Sequence, residues 1–423
     1  MSTTLRLVRM ASSTPIPGPE FDLLLACCTG AAVTGRSARI SLSLDRGLDW
    51  VEFARLIEHH SVGPIVYRSL STFPHTVPSS VLEQLRIDYE GNAQKSLRLT
   101  HELVRILACL ESHGIPAIPY KGPVLAKTVY GDIAFRRFSD LDILIHATDV
   151  PAARTAVREL GYTPTLHLNE VEQAAHIASG NEVSFDGPLG RNLLEIQWRI
   201  LPRFYAVEFS IERFFQRTVR VDLGGSLVRT LAPEDLLLVL CVHTAKHAWS
   251  RLLWLCDIAE TMRSQPIDYG SAYRAAKGLG VEKIVAVNFV LQAQLFGLPF
   301  PVQFRKSTRN DPEIEHVAEK ARQVLMGSAD HDVQSIDYFR LMVRLRERLR
   351  DRFRFLARLT FTPSVGEWST VRLPTRLFPL YRAIRVLRLM SRFLIGAVGN
   401  RRRTLFKGQS ELKDTAVTLE EKE

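Results

Sequence analysis

Hydrophobic and polar positions along the chain change period twice, from helical to strand-like and back to helical. Between residues 21 and 114, apolar residues recur at helical spacing. From residue 115 to about 223, short apolar runs that alternate with polar residues are separated by helical segments, and from Leu231 onward the helical period returns. The sequence therefore predicts an α+β fold, in which a mixed core lies between N-terminal and C-terminal helical regions.

Two long helices stand out in the flanking regions. The first is predicted from Val81 to about Ser112, opened by a capping box of Ser80 and Glu83. The second is a single arginine-rich helix from Ile336 to Leu359. Neither has a residue pattern to which chemistry can be assigned.

The central stretch runs from Ile118 to Ile145 and ends in a strand pattern. Because side chains two apart on a strand share a face, Asp140 and Asp142 lie side by side. Two neighbouring carboxylates repel each other unless cations neutralise them, so the spacing predicts a hard divalent metal, with magnesium as the natural ion. A solvated strand face is the alternative for this pair taken alone.

A second feature of the same stretch is a Lys-Gly turn. An apolar strand over residues 115–120 precedes Lys121-Gly122, and Pro123 is placed to open a helix that runs to about Tyr130. A glycine lets backbone N–H groups approach a phosphate, while Lys121 and a helix N-terminus favour negative charge. Each piece alone is typical of an ordinary turn, but their joint order predicts a site for a metal-bound nucleoside triphosphate.

Two further strands are predicted at residues 182–185 and 192–200, with a turn between them. In the second strand, Leu194, Ile196 and Trp198 alternate with Glu195 and Gln197. The apolar set forms the core face, so Glu195 projects from the opposite one.

These residues resemble the signature of the bacterial family of uncharacterised nucleotidyltransferases, within the DNA polymerase beta-like superfamily. The resemblance covers roughly residues 20 to 300 and is carried by the following segments: Lys121-Gly122, Tyr130-Gly131, Arg137-Phe138-Ser139, Asp140-Leu141-Asp142, Leu194–Trp198 and His243–Ala259. Two positions depart from the pattern. The superfamily usually places Gly-Ser shortly before the first acid, whereas Gly122 is followed by Pro123, and relatives often have His-Trp where this chain has Gln197-Trp198. The role of position 197 is therefore open.

The resemblance implies a polymerase beta-like nucleotidyltransferase core that transfers a nucleoside monophosphate from a triphosphate to an acceptor hydroxyl and releases pyrophosphate. It implies that Glu195 lies beside the Asp-x-Asp strand as a third carboxylate. The following roles are then expected: Asp140 and Asp142 bridge two magnesium ions, Glu195 completes one of them and helps to deprotonate the acceptor, Gly122 and the following amides hold the triphosphate, and Lys121 with either Arg137 or Ser139 binds its oxygens.

A histidine pair lies on the helix predicted to begin at Pro233. His243 and His247 are four residues apart, but no third ligand is nearby and His-Glu-x-x-His is absent, which disfavours zinc. Two interpretations remain: both histidines and Lys246 face the cleft, where Lys246 contacts phosphate, or they form hydrogen bonds within the helical bundle. Trp254 and Asp257 follow on the next helix. Trp254 is predicted to belong to its core stripe, and Asp257 to pair with Arg251 or a histidine.

Length and composition limit the number of domains and indicate the cellular compartment. A chain of 423 residues that is 46% hydrophobic suffices for two or three domains. The predicted division is as follows: a disordered tail (1–20), an N-terminal helical region (21–114), the nucleotidyltransferase core (115–223), a helical bundle (224–300), a basic C-terminal helical region (301–400) and a second tail (401–423). Five cysteines without a paired pattern, together with no apolar run long enough for a signal peptide or a spanning helix, predict a cytoplasmic protein.

The positive charge is concentrated near the C-terminus. Residues 301–410 hold 23 Lys and Arg against 10 Asp and Glu, while the whole chain carries a formal net charge of +10. A basic surface attracts nucleic acid, anionic lipid or polyphosphate, and charge alone does not choose among them. Residues 381–395 form an amphipathic basic helix, which either makes a peripheral membrane contact or packs against the protein's own bundle.

Two other functions stay open at this point. The order of K-G and R-x-S-D-x-D also resembles abortive-infection toxins, which implies a nucleotidyltransferase that acts on RNA. Alternatively, the chain is a non-catalytic nucleotide-binding scaffold at a membrane surface. The acceptor of the enzyme can be a small molecule, a glycan precursor, a protein or RNA.

Overall fold

The computed structural model describes residues 18–30, 33–190, 192–308, 311–327, 335–362, 371 and 373–391. The two predicted tails lie outside these residues, apart from residues 18–20, where the first helix begins.

Five helices precede the sheet: α1 (Pro19–Cys28), α2 (Arg36–Leu44), α3 (Trp50–His60), α4 (Gly63–Leu70) and α5 (Ser79–Ser112). The long helix α5 is confirmed, but its predicted capping box is wrong. No side chain caps α5 at Pro78, and Glu83 instead forms an ion pair with Arg86 one turn later. An arginine three residues away can draw this carboxylate outward, because exposed residues at that spacing are neighbours on a helix.

A five-stranded mixed sheet follows, in the spatial order β1-β2-β5-β4-β3. Its strands are β1 (Ile118–Pro119), β2 (Asp140–Leu144), β3 (Thr163–Pro164), β4 (Glu182–Asp186) and β5 (Leu193–Gln197). Strands β2 and β5 are parallel, and the other neighbours are antiparallel. The observed mixture of helices and a mixed sheet confirms the predicted α+β class.

Four short helices accompany the sheet: α6 (Gly122–Leu125), which continues as a π-helical turn over Ala126–Tyr130, α7 (Val150–Glu159), α8 (Glu170–Ser179) and α9 (Ile211–Gln216). A separate hairpin of β6 (Val219–Leu223) and β7 (Ser226–Thr230) was not predicted. Its signal is nevertheless in the sequence. Gly224 and Gly225 both adopt positive φ, which is the conformation that a two-residue hairpin turn requires.

The two faces of β2 have different surroundings. Leu141 and Ile143 pack in a hydrophobic core with residues of α5 and α7, including Leu103 and Val150. Leu144 belongs instead to a second core, which it shares with the helical bundle. Asp140 and Asp142 share the face of Leu144, so alternation turns both carboxylates toward the space between the sheet and the bundle.

The remaining helices are α10 (Pro233–Lys246), α11 (Leu252–Ser264), α12 (Tyr269–Leu279), α13 (Glu282–Phe296), α14 (Val302–Thr308), α15 (Pro312–Met326), α16 (Ile336–Arg344), α17 (Leu349–Phe361) and α18 (381–391). The prediction of one helix from Ile336 to Leu359 is wrong, because α16 and α17 are separate. Arg346 lies between them with only 2% of its surface exposed, and it donates a hydrogen bond to the carbonyl oxygen of Tyr205 at 2.9 Å. This inward contact accompanies the break.

Helix α18 presents its residues differently from the predicted amphipathic pattern. An amphipathic basic helix would expose its arginines, but Arg385 is buried and donates to the carbonyl oxygen of Leu359 at 3.2 Å. It would bury its large apolar residues, but Leu387 and Met390 are exposed. Residues 392–395 of the predicted helix lie outside the described part of the chain. Among the described residues, no helix combines the length and the apolar character that crossing a bilayer requires.

Candidate active site

Four carboxylates from three adjacent strands face one cleft. The parallel register of β2 and β5 places Asp142 directly opposite Glu195, and Asp140 lies two residues before Asp142 on the same face. The antiparallel register of β4 and β5 adds Glu182, opposite Gln197. All four carboxylates line a cleft of about 590 Å³ between the sheet and helices α3, α5, α10 and α11. The structure therefore brings the three predicted carboxylates together and adds a fourth that was not predicted.

Gln197 lies at the centre of this acidic group. Its Nε2 donates toward Asp142 Oδ1 at 3.0 Å, Glu195 Oε2 at 3.1 Å and Glu182 Oε2 at 3.2 Å. The hydroxyl of buried Tyr120 donates to Gln197 Oε1, which fixes the orientation of the amide. An amide nitrogen has two hydrogens for these three oxygens, so Gln197 draws the carboxylates together without satisfying all of them.

Proximity and burial raise the proton affinity of these acids. Burial, together with the charges of Asp142, Glu182 and Asp140, raises the pKa of Glu195 to about 8. Burial and the charge of Asp142 also raise the pKa of Asp140. Neighbouring like charges and a low-dielectric environment both disfavour ionisation of these carboxyl groups. The group of acids therefore favours the binding of a cation or a proton between them.

Lys121 and Gly122 approach the aspartates as expected, but Lys121 already has a carboxylate partner. Its Nζ lies 3.2 Å from Asp142 Oδ1. Burial lowers the pKa of Lys121, but the nearby charges, chiefly that of Asp142, outweigh it and raise the pKa above its usual value. Gly122 has φ of +57°, and a Cβ built there would lie 3.3 Å from the carbonyl oxygen of Asp140. This turn needs glycine both for its conformation and for its close approach to β2.

Basic side chains line the same cleft. Lys246 lines it and, within the described residues, lies at ion-pair distance from no carboxylate. Arg137 and Ser139 line it too; Arg137 is paired with exposed Glu58 of α3. Lys95 of α5 and Arg251 also line the cleft, although neither was predicted as a site residue. The acids and the bases thus occupy the same cavity, as a metal-bound polyphosphate requires.

His243 of α10 and His247, which follows the end of that helix, both line the cleft, as one of the two interpretations expected. Their rings lie 4.7 Å apart, and His247 is also 4.7 Å from the ring of Trp254. Burial and the neighbouring lysines lower the pKa of His247 to about 3 and hold that of His243 well below its usual value, so both are neutral near pH 7. Trp254 was assigned to the helix core, but it is half-buried and lines the cleft.

The prediction for Asp257 is wrong. This buried carboxylate pairs with neither Arg251 nor a histidine, but accepts two hydrogen bonds from Arg136, at 2.8 and 2.9 Å, and one from the hydroxyl of Tyr130 at 2.9 Å. Arg136 is buried behind the more exposed Arg137. The arginine that precedes the Asp-x-Asp strand therefore fastens the loop before β2 to α11.

The connection between α10 and α11 is conformationally strained. Ala248 and Trp249 are consecutive non-glycine residues with φ of +53° and +54°. Buried Trp249 is held by a hydrogen bond from its indole nitrogen to Asn288 Oδ1 at 3.1 Å. Such backbone costs energy and persists only where packing enforces it. This turn orients the end of α10, where Lys246 and His247 enter the cleft.

The closest group of metal-ligating side chains among the described residues lies elsewhere. Ligand atoms of Cys109, His113 and Glu159 all lie within 4.8 Å of one another, and none of the three lines the cleft. The three predicted carboxylates are not drawn together to that extent, because the amide of Gln197 lies between Asp142 and Glu195.

The residues of the cleft lie within a segment that matches a known protein family. A family described as "Uncharacterised nucleotidyltransferase" matches residues 46–297, which is more than half of the chain. The chain belongs to this family. It is therefore a nucleotidyltransferase, which confirms the predicted family and enzyme class.

Other comparisons add little to the family match. No curated protein matches the chain. The solution structure of the antibiotic-resistance factor ANT(2'')-Ia shows 15% identity over 48% of this chain and 92% of that one, with a TM-score of 0.24. That similarity is too low to carry an argument about fold or activity.

The uncharacterised nucleotidyltransferase match runs from α3 to α13 and includes every residue that the sequence predicted for the site. It also includes cleft residues that sequence reasoning missed: Lys95, Tyr120, Glu182, Arg251 and Trp254. Glu182 had one usable signal, because it begins a strand predicted to pair with the strand of Glu195. Lys95 had none, since it is one of many polar residues on the 34-residue helix α5.

Proposed function

We propose that the protein is a metal-dependent nucleotidyltransferase that transfers a nucleoside monophosphate from a nucleoside triphosphate to an acceptor hydroxyl and releases pyrophosphate. The observation that supports it most is the parallel pairing of Asp142 with Glu195 in a cleft that basic side chains also line. In this proposal the polymerase beta-like core predicted at 115–223 extends to Thr230, because the β6–β7 hairpin crosses the predicted boundary. The predicted helical regions 21–114, 224–300 and 301–400 flank this core, and the second of them begins at Pro233 instead of at residue 224.

The residues present fit a divalent metal. Asp142 Oδ1 accepts from Lys121 and Gln197, but Asp142 Oδ2 is buried and accepts no hydrogen bond. An orphaned carboxylate oxygen is costly to bury, and a hard cation is the partner that such oxygens prefer. Asp140 and Asp142 would hold two magnesium ions, with Glu195 completing one of the two sites. Bound there, magnesium would offset the charge that develops on the entering and leaving oxygens.

The reaction exchanges one P–O bond for another. The acceptor hydroxyl oxygen forms a bond to the α-phosphorus, while the bond from the α-phosphorus to the oxygen that bridges to the β-phosphate breaks and pyrophosphate leaves. Glu195, a carboxylate that lines the same cleft, accepts the hydroxyl proton as the general base. Gln197 and Lys121 keep the carboxylates in position, because both donate to them.

The triphosphate contacts the basic side chains of the cleft. Lys246 has no described carboxylate partner, so it is available to the phosphate oxygens, together with Arg137, Ser139 and the amides that follow Gly122. In this arrangement Lys121 neutralises the charge of Asp142. It binds a phosphate oxygen only while it also contacts Asp142. Trp254, with Arg251 positioned over its ring at 5.7 Å, offers a flat surface for the base.

The acceptor is proposed only as a hydroxyl-bearing molecule: a small molecule, a glycan precursor, a protein or RNA. The basic C-terminal region supports RNA as one alternative. The exposed apolar side chains of α17 and α18 support another, in which α18 contributes to a peripheral membrane contact.

The Asp142→Asn variant tests this function. It is isosteric and should fold, but we expect it to reduce magnesium-dependent release of pyrophosphate from labelled triphosphates by about a hundredfold or more. Manganese binding, followed by electron paramagnetic resonance, should weaken in parallel. Asp186→Asn provides the matched control, because Asp186 is an exposed residue at the end of β4 and does not line the cleft. Wild-type turnover by Asp142→Asn would exclude the mechanism.

A further inference from the structure

A second cavity, of about 300 Å³, lies on the other side of the Arg136–Asp257 ion pair from the cleft. We call it the arginine pocket, because Arg36, Arg68 and Arg263 line it. Tyr130 lines the arginine pocket as well, and its hydroxyl donates a hydrogen bond to Asp257. Asp257 in turn pairs with Arg136, which lines the cleft. The two cavities therefore share a wall, and no site residue of the proposed transfer reaction lines the arginine pocket.

Charge in the arginine pocket is not balanced by the protein. Three guanidinium groups face one carboxylate, that of Glu260, which pairs with Arg263 at 2.6 Å. Among the described residues, Arg36 and Arg68 lie at ion-pair distance from no carboxylate. Burial and the nearby charge of Arg68 lower the pKa of Arg36. Clustered cations that are partly withdrawn from water repel one another, and an anion between them would relieve this repulsion.

Hydrogen-bond donors in the arginine pocket are also unused. Nε of Arg36 and both Nε and Nη2 of Arg263 are buried and make no hydrogen bond. The same side chains are held by other donors: Nη2 of Arg36 donates to the carbonyl oxygen of Cys27 and to Ser69, and Nη1 of Arg263 donates to Glu260. Buried donors without partners are rare in folded proteins because each one costs free energy, so they indicate a missing acceptor.

Gly30 keeps the guanidinium of Arg263 in place. A Cβ built at Gly30 would lie 2.9 Å from Cζ and from Nη1 of Arg263, closer than any real side chain would lie. Because position 30 has no side chain, the guanidinium of Arg263 lies against the backbone there. Its Nε and Nη2 atoms make no hydrogen bond. Arg68 is positioned by the ring of Phe135, which it covers at 4.3 Å.

We propose that the arginine pocket binds the phosphate group of a small phosphorylated molecule, at a site separate from the cleft. The guanidinium fork matches phosphate oxygens in geometry, and a dianionic phosphate balances the two charges that Glu260 leaves uncompensated, whereas a carboxylate balances one. The volume is that of roughly ten water molecules, enough for a phosphate with a short organic group. Ile65 and Phe135 provide an apolar wall for that group. The proposal does not depend on the proposed function of the cleft.

The test measures the melting temperature of the full chain in increasing inorganic phosphate, and separately in glycerol phosphate, with acetate at equal ionic strength as the reference. We expect both phosphates to raise the melting temperature above the acetate value. A larger rise with glycerol phosphate would assign the pocket to a phosphate monoester, and an equal rise would assign it to free phosphate. Stabilisation by acetate equal to that by phosphate would overturn the proposal, because it would show only general screening of charge.

Variants locate the site. Arg263→Gln and Arg68→Gln should each weaken the phosphate affinity about tenfold, because each removes a charged hydrogen-bond donor. Arg68 is exposed enough for its variant to fold even where Arg263→Gln does not. Arg251→Gln controls for binding in the cleft, and Arg46→Gln controls for loss of a surface charge. Loss of the phosphate effect in Arg251→Gln, or its full retention in Arg68→Gln, would place phosphate elsewhere and overturn the proposal.

Discussion

At the scale of single residues, Gln197 is the unusual member of the cleft. A neutral amide stands among three carboxylates, where a cationic side chain would neutralise them more fully. Because the amide carries no charge, it positions Asp142 and Glu195 without competing electrostatically with a metal ion. Tyr120 determines which way the amide points, because its buried hydroxyl donates to Gln197 Oε1.

Gln197→Glu tests this role by adding a carboxylate to the group. Without metal, we expect the variant to lose about 2 kcal/mol of its free energy of unfolding, because another buried like charge replaces a donor. Magnesium should raise the melting temperature of Gln197→Glu more than that of the wild type. Thermal unfolding with and without magnesium measures both effects.

Gln216→Glu is the matched control for this substitution. Gln216 is exposed on α9 and donates to the carboxylate of Glu212, so the same change occurs beside an acid that is open to solvent. Its stability should change little and should not depend on magnesium. Equal responses of the two variants would contradict the positioning role of Gln197.

Residues of the candidate site were predictable where a short-range rule applied. The alternation of Leu141 and Ile143 with acids was enough to place Asp140 and Asp142 on one face. Glu182 and Tyr120 were not predictable in this way, because their approach to Gln197 depends on strand register and on tertiary packing. Neither is determined by the residues adjacent to them.

At the scale of elements, the Lys121-Gly122 turn sets the distance between α6 and β2. Strand β1 is only two residues long, shorter than the apolar run before the turn predicted, so the backbone passes from strand to helix within a few residues. Positive φ at Gly122 makes this passage possible and brings the turn against the carbonyl oxygen of Asp140.

Gly122→Ala should therefore affect both stability and activity. A left-handed alanine costs about 1–2 kcal/mol, and its Cβ would press on the strand that carries the aspartates. Gly131→Ala is the control, since Gly131 also has positive φ (+77°) but a Cβ there meets no atom within 4 Å. Urea unfolding should show a loss for both variants, larger for Gly122→Ala because of its added contact, whereas only Gly122→Ala should lose pyrophosphate release. Equal activity of the two would show that the turn does not position Asp140.

The ion pair of Arg136 and Asp257 joins two elements across the wall between the cavities. Asp257→Asn would leave a buried guanidinium without its charge partner, so we expect a loss of about 3–5 kcal/mol in urea unfolding. Asp22→Asn breaks an exposed pair with Arg46 and should cost at most about 1 kcal/mol. Equal losses for the two variants would mean that Asp257 does not fasten the loop before β2.

The sequence predicted the elements correctly where propensity and packing agree, as for α5 and β2. They departed from it where a polar side chain found a buried partner. Arg346 turns inward to Tyr205 between α16 and α17, and Arg385 turns inward to Leu359, so a pattern that treats arginine as solvent-facing misplaces both segments.

At the scale of the whole molecule, the cleft and the region beyond residue 300 differ in their distribution of charge. The cleft concentrates acids beside bases within one cavity, whereas the region beyond residue 300 is basic and exposes large apolar side chains. Phe353 of α17 is 76% exposed and Leu387 of α18 is 66% exposed. Apolar side chains beside arginines are typical of helices that lie at a membrane surface, while RNA-binding surfaces depend mainly on the cations.

This difference allows an experiment to distinguish a membrane contact from RNA binding. We expect the full chain to float with vesicles that contain phosphatidylserine but not with pure phosphatidylcholine, because the arginines need anionic headgroups and the exposed apolar side chains need the acyl boundary. Phe353→Asp combined with Leu387→Asp should abolish flotation, whereas Leu42→Asp, at an equally exposed leucine of α2, should not. If the double variant floats like the wild type, Phe353 and Leu387 do not contribute to the membrane contact. If the wild type does not float and its RNA binding falls steeply with salt, the membrane contact is excluded and the basic region acts through its charge on nucleic acid.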